Sequence, residues 1–471
     1  MLALALMMSS SAWAQWSSDP SQNLGLSTLP SADQVQPKAI ALPDNTWYVS
    51  WFNNNPVIPN SGYNVYYQKL SANGVEQFPH NGIQVALENF LTSTQDYGLT
   101  FDGAGNAILA FQDLRRDPNN PQITVAKMSP TGQPLWGPLG IAMTFGQNSY
   151  NVPKVTVTTD GSIVVGWVSN NQTVLQKLTA NGSPLWVGTP ASNYGVVLQQ
   201  SGYNYMLADL EPGDNGSVIV SFVANQGFGS PNYLFANKIS PGGQLLWGTN
   251  NVHVYDGGSL QFGEFPYFLP DGYGGGVFAW YTASPTLQIF AQHILANGTE
   301  GFGHNGVPGA IGGSDVRVDP TVSYNPGTQE TFLFWTEEDS LQSVQGISAQ
   351  KLDPSGARKW GDGGLVIVPL GNDAQINPKS VQIGNGALGV WVDQQVTGNG
   401  VVEAVKLDTN GNSVCSEFPV GSASSQKAKV WAAIAPSGLT AVAWQDYRNG
   451  NSDIYIQNIN PDCTLGIEGR K

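Results

Sequence analysis

Ten of the fourteen tryptophans in this chain fall at two positions of one repeat that recurs eight times. A period of this length means an array of small units, each of which buries its faces only against its neighbours. The first position reads Trp51, Phe111, Trp167, Phe222, Trp280, Trp335, Trp391 and Trp444, at intervals of 53 to 60 residues. The second reads Phe78, Trp136, Trp186, Trp247, Phe302, Trp360, Cys415 and Ile467. Ten residues before each of these stands Gln68, Ala126, Gln176, Asn237, Gln292, Gln350, Val405 or Gln457. The ten-residue gap is the same in every copy, so a constraint on geometry acts there.

Residues 153–198 contain one whole unit. Two strands flank the Asp160-Gly161 turn, a third runs over Thr173 to Leu178, and a fourth lies around Tyr194 to Leu198. Asp-Gly and Asn-Gly pairs favour tight hairpins because they accept positive φ. Four short antiparallel strands make a propeller blade. The expected fold is therefore all-β: a single eight-bladed β-propeller over residues 15–471, built from repeats of about 56 residues. The last copy has little chain left for a fourth strand, while Leu24 to Leu29 precedes Pro37 as fourth strands precede first strands elsewhere. The N-terminal strand is expected to close the ring, which removes an open sheet edge.

The connections differ in variability. From the first aromatic to the Gln position the gaps are 17, 15, 9, 15, 12, 15, 14 and 13. The segments entering each first strand vary as well, and both kinds of loop emerge on one face. The constant turns occupy the other.

Only 19 Lys and Arg stand against 34 Asp and Glu, for a net charge of −15. That balance argues against nucleic acid, which needs a basic footprint. Met1 to Ala14 is an apolar run ending in Ala-Trp-Ala, as a cleaved signal peptide over 1–14 would. It is too short to span a bilayer. A monomeric protein, secreted or periplasmic, is expected. Of the two cysteines, Cys415 takes the aromatic slot of the seventh copy and Cys463 lies in the corresponding turn of the eighth, so the two can be neighbours across one blade interface. In an oxidising compartment they should pair.

Trp444-Gln445-Asp446-Tyr447-Arg448-Asn449-Gly450 and the residues that follow to Gln457 resemble repeats of bacterial secreted and cell-surface propellers, TolB-like ones among them. Gln350 to Val368 is similar to the delta-60 type of bacterial repeat. The resemblance implies an exported propeller and no particular activity.

An aromatic at one slot per blade reads as inter-blade packing. Asp446 with Arg448, and Asp113 with Arg115, read as ion-pair staples. No cofactor motif is present; calcium on Asp446, Asn449, Asn451 and Asp453 is the open metal reading, at a spacing unlike an EF-hand. His80 and His304 occupy equivalent places and reflect repeat ancestry. Ligand-binding residues are expected on the variable face: Phe90, Tyr97, Arg115, Arg116, Tyr150, Tyr203, Tyr205, Phe262, Phe265 and Arg317. The leading function is non-catalytic binding of a glycan or an envelope or extracellular protein. The alternatives are a structural cell-surface module, or a polysaccharide hydrolase or lyase at the channel mouth, using Asp96, Glu264 and Asp319.

Overall fold

A computed structural model describes residues 15–54, 62–87, 96–145, 150–186 and 195–467, and the expected signal peptide lies outside them. Eight antiparallel sheets form the blades. Blade 1 runs Asp33–Ala41, Trp47–Asn54, Tyr63–Leu70 and Ile83–Gln84, from the channel outward. Blades 2, 3, 4, 6 and 7 repeat this order, starting from Gly98–Phe101, Tyr150–Val157, Asn204–Pro212, Val316–Asn325 and Ala374–Ile383. In blade 5 the inner strand is broken: Ser259–Leu260 and Phe268–Pro270 both pair with Gly276–Ser284. Blade 8 takes Lys427–Ile434, Thr440–Asp446 and Asp453–Ile459 from the C-terminus and Leu24–Ser27 from the N-terminus. Leu24 faces Ile456 and Gly25 faces Tyr455, so the expected closure is present.

Second strands are sandwiched between neighbouring blades, so they read as near-continuous apolar runs. Ile163–Ser169, for example, is buried throughout. All eight first-position aromatics are buried, from Trp51 to Trp444. The ten-residue gap has a specific cause. The Gln176 Oε1 accepts from the Trp186 backbone N–H at 3.2 Å, and its Nε2 donates to the Trp186 carbonyl at 3.1 Å. Gln68, Gln292 and Gln350 accept in the same way from Phe78, Phe302 and Trp360. Asn237 does so for Trp247. A buried amide with both ends satisfied fixes where the next aromatic must sit.

That aromatic then crosses to the following blade. The Trp186, Trp247 and Trp360 indoles donate to the carbonyls of Pro241, Ala296 and Thr409, in the turn before the next blade's outer strand. Gly298, at φ 85°, closes one such turn; a Cβ there would lie 2.8 Å from the Trp247 ring. The eighth joint departs from expectation, because Trp16 rather than Ile467 fills the aromatic slot. Its indole donates to the Ala72 carbonyl at 2.8 Å and its ring covers Gly74. Gln457, at the eighth amide position, donates to the Ser17 carbonyl.

The seventh joint carries the expected disulfide between Cys415 and Cys463, with Cα atoms 6.5 Å apart. Cys463 stands at φ 67°, in the place that glycine holds in the other turns. The Lys406 ammonium takes the Pro461 carbonyl, which a tryptophan indole would bond elsewhere.

Two measurements check these joints. Trp16→Ala should cost about 3–5 kcal/mol and lower the thermal midpoint; an unchanged midpoint would mean that the N-terminal segment does not hold the ring. Cys415→Ser should cost about 4 kcal/mol on the chain-entropy estimate for a 48-residue separation, read as earlier unfolding under non-reducing conditions.

Candidate functional site: the channel mouth

The first strands of the blades line a central channel. At the end where the variable loops emerge, it opens into a cavity of about 370 Å³. A deeper cavity of about 590 Å³ follows. The mouth is built by a recurring backbone irregularity. Pairing of first with second strands skips between Val35 and Lys38, Asn151 and Lys154, Val318 and Thr321, Ile376 and Lys379, and Ala428 and Trp431. At each skip a non-glycine residue is left-handed: Gln36, Val152, Asp319, Asn377 and Lys429, at φ 54°, 51°, 52°, 53° and 53°. Such a conformation costs of order 1–3 kcal/mol, and Val152 is β-branched, which makes it the least suited. Bulges re-aim the side chains that follow. Here they deliver Lys38, Lys154, Lys379 and Trp431 to the channel wall. The signal was in the sequence as Pro37-Lys38, Pro153-Lys154 and Pro378-Lys379, but proline there reads only as a strand start.

Blade 5 contributes differently. The break in its inner strand carries Phe265 and Tyr267 into the mouth. Glu264 anchors this excursion, with Oε1 accepting from the Tyr281 N–H at 3.0 Å and Oε2 sealed from solvent. Burial first, then the Asp319 charge, holds its carboxyl well above the ordinary range, against the Tyr281 N–H. The Tyr267 hydroxyl meets the Thr321 hydroxyl at 2.7 Å.

Charge is organised around Asp96. Lys38 and Lys154 each place an ammonium 2.6 Å from its oxygens. Burial opposes ionisation of Asp96, but Lys154 and Lys38 together outweigh it and hold the carboxyl far below its usual range. Deeper in the channel, burial raises Asp209 against the opposing Lys154 charge, and burial with the Asp209 charge raises Glu211 well above its ordinary value. Lys379 differs from Lys38 and Lys154. Its ammonium lies 4.9 Å from the Tyr267 ring centre and 5.8 Å from that of Trp431. Among the described residues no carboxylate pairs with it.

Of the ten residues expected to bind ligand, Phe265 lines the mouth. Phe90 lies outside the described residues. Phe262 is exposed and meets the exposed Phe228 edge-on at 6.4 Å. Tyr97, Tyr150, Tyr205 and Arg317 are buried. Tyr97 donates to the Gln36 carbonyl, and Tyr205 packs 4.5 Å from Phe222 with Tyr203 beside it. Arg317 pairs with Glu337 at 3.0 Å. Arg116 donates to the Thr124 hydroxyl, and Arg115 pairs with Asp113 at 2.8 Å as the staple reading expects. Arg448 pairs likewise with Asp446 at 2.6 Å. Of the three expected channel carboxylates, Asp96 and Asp319 line the mouth.

The two carboxylates considered for calcium already have donors. Asp446 holds Arg448, Ser425 and the Trp444 indole, while Asp453 accepts from Asn449 and Asn451. Among the described residues no group of three or more His, Cys, Asp or Glu is placed to hold a metal. His80 and His304 make equivalent contacts, with Glu76 and Glu300.

No family model matches the chain, and no curated protein matches it in sequence. Solved structures match over nearly the whole length at low identity. Polysaccharide lyase Uly1 is 12% identical, with a TM-score of 0.45, covering 94% of this chain and 92% of that one. A Penicillium chrysogenum alpha-L-arabinanase complexed with arabinobiose is 10% identical, with a TM-score of 0.38, covering 94% and 99%. A Dyadobacter fermentans protein of unknown function is 9% identical, with a TM-score of 0.41, covering 95% and 98%. Of what the resemblance to TolB-like and delta-60-like repeats implies, the structure carries the propeller architecture.

Glu264 supplies a pH test. A carboxyl raised by folding holds a proton that the unfolded chain releases. Its contribution is therefore complete below the ordinary carboxylate range and is lost as pH rises toward the folded value. Glu264→Gln keeps the shape without the titration. It should match the parent near pH 4 and be the more stable of the two at pH 8, followed by thermal unfolding across that range. Equal loss of stability at both pH values would remove the protonated-anchor assignment.

Proposed function

We propose that the protein is an exported, non-catalytic propeller that binds a glycan chain at the channel mouth on its variable-loop face. The observation that carries this reading is the convergence there of three aromatic rings, Phe265, Tyr267 and Trp431, with lysines and Asp319 in one concavity. Aromatic faces take the C–H faces of sugar rings, and charged groups at their edges fix hydroxyls; a few polar groups in an aromatic-lined concavity is how small-ligand sites are built. A disulfide joins the two cysteines, which fits an oxidising compartment. Among the described residues no helix is long and apolar enough to cross a membrane.

The carboxylates support binding over hydrolysis. Two-carboxylate glycoside cleavage needs a pair within roughly 5–10 Å, both able to reach the sugar. Asp96 is held between two ammonium groups. Glu264 turns one oxygen to a backbone N–H and has the other sealed. Asp319 is left as the exposed acid of the three.

A glycan array on the full chain, followed by titration calorimetry, tests the reading. Phe265→Ala should weaken binding at least tenfold in a protein that circular dichroism shows to be folded, with a lowered thermal midpoint because the ring also packs on the blade core. A ligand footprint on the short turns around Asp160, Asn181 and Asp271 would overturn the face assignment. Release of shortened products from the bound polysaccharide would overturn the non-catalytic assignment.

A further inference from the structure

Resting on the glycan reading of the mouth, we infer that the ligand is acidic: its sugar residues carry a carboxylate or sulfate that docks on Lys379. Four of the chain's 19 Lys and Arg, namely Lys38, Lys154, Lys379 and Lys429, line this one cavity of a protein with net charge −15. Two carboxylates, Asp96 and Asp319, share that lining. Lys38 and Lys154 are committed to Asp96. Lys379 is the cation held ready. It is half-buried, and among the described residues its ammonium has no carboxylate or hydrogen-bond partner. Its ammonium rests near the Tyr267 and Trp431 rings, each held in place on its own account. The Trp431 indole donates to the Ala39 carbonyl at 2.9 Å, and Tyr267 is bonded to Thr321.

A solvated surface lysine would carry its charge into water. This one is delivered instead by a strained bulge at Asn377, into a cavity walled by aromatic rings. The rings attract the cation through their quadrupoles but leave its net charge uncancelled. An anionic group on a sugar stacked against either ring would lie within reach of that ammonium. Lys429, at the next bulge and exposed at the rim, adds a second uncompensated charge. The overall negative charge of the chain works against a polyanion at long range. Ionic screening beyond about 10 Å at 0.1 M salt confines that opposition to low-salt solution.

The test uses the full chain and three oligosaccharides of matched length: a galacturonate oligomer, a sulfated galactan oligomer and a neutral galactan oligomer. At 0.1 M salt at least one acidic oligomer should bind at least tenfold more tightly than the neutral one, and the difference should shrink at 0.5 M. Lys379→Gln should erase most of that preference, and Lys379→Arg should retain it. Lys429→Gln, at the rim and without a packing role, should reduce it by about two- to threefold. Lys359→Gln, on the constant-turn face, should change nothing. If the neutral oligomer binds at the mouth as tightly as both acidic ones, the acidic-ligand inference is wrong and the glycan reading stands. If the preference survives Lys379→Gln in a folded protein, Lys379 is not the docking group. If none of the three binds and the array is blank, the glycan reading itself falls.

Discussion

Everything in this molecule hangs on the joint between adjacent blades. A four-stranded blade has two apolar faces and cannot satisfy them alone. The joint solves this with a large aromatic that leaves its own blade and lands on the tight turn of the next. Its backbone is pinned by a buried amide ten residues earlier, and its indole caps a carbonyl across the interface. The turn residue beneath it must be left-handed and small, which is why glycine holds that place under Trp186, Trp247 and Trp360. Repeating one joint around a circle leaves one special place, where the chain must meet its own beginning.

That place is closed twice. Leu24–Ser27 completes the eighth sheet by backbone pairing, and Trp16 completes the eighth aromatic joint by packing. The seventh joint, next to the seam, replaces the aromatic with a covalent bond and the turn glycine with Cys463. The molecule therefore puts its strongest fastenings where the ring has no chain continuity to rely on. With the seam held, the first strands tolerate left-handed bulges at five places along the channel. The strain sits at the mouth, and the packing that supports it lies further out between the blades.

The consequence is a mouth whose chemistry is unlike the rest of the surface. Scarce lysines are gathered there, one acid is locked between two of them, and aromatic rings stand around another. Many residues that look like surface ligands in the sequence are used for construction instead. Tyr97 and Tyr205 pack between strands, and Arg115 and Arg317 neutralise neighbouring acids.

The sequence by itself determined the blade count, the strand order, the variable face, the ring closure and the disulfide. Each of these is written in a spacing that repeats, and a repeated spacing reports a repeated joint. It also identified the aromatic and glutamine slots as core, because a large side chain at one fixed register is packing rather than display. Only the tertiary structure decided the site. The mouth is assembled from one or two residues in each of several blades, and the Pro-Lys pairs at 37–38, 153–154 and 378–379 that contribute to it read in the sequence only as strand starts. The bulges turn single side chains inward against the alternation that a regular strand would follow. Trp16 was hidden for a related reason: its role exists only because the two ends of the chain meet in space.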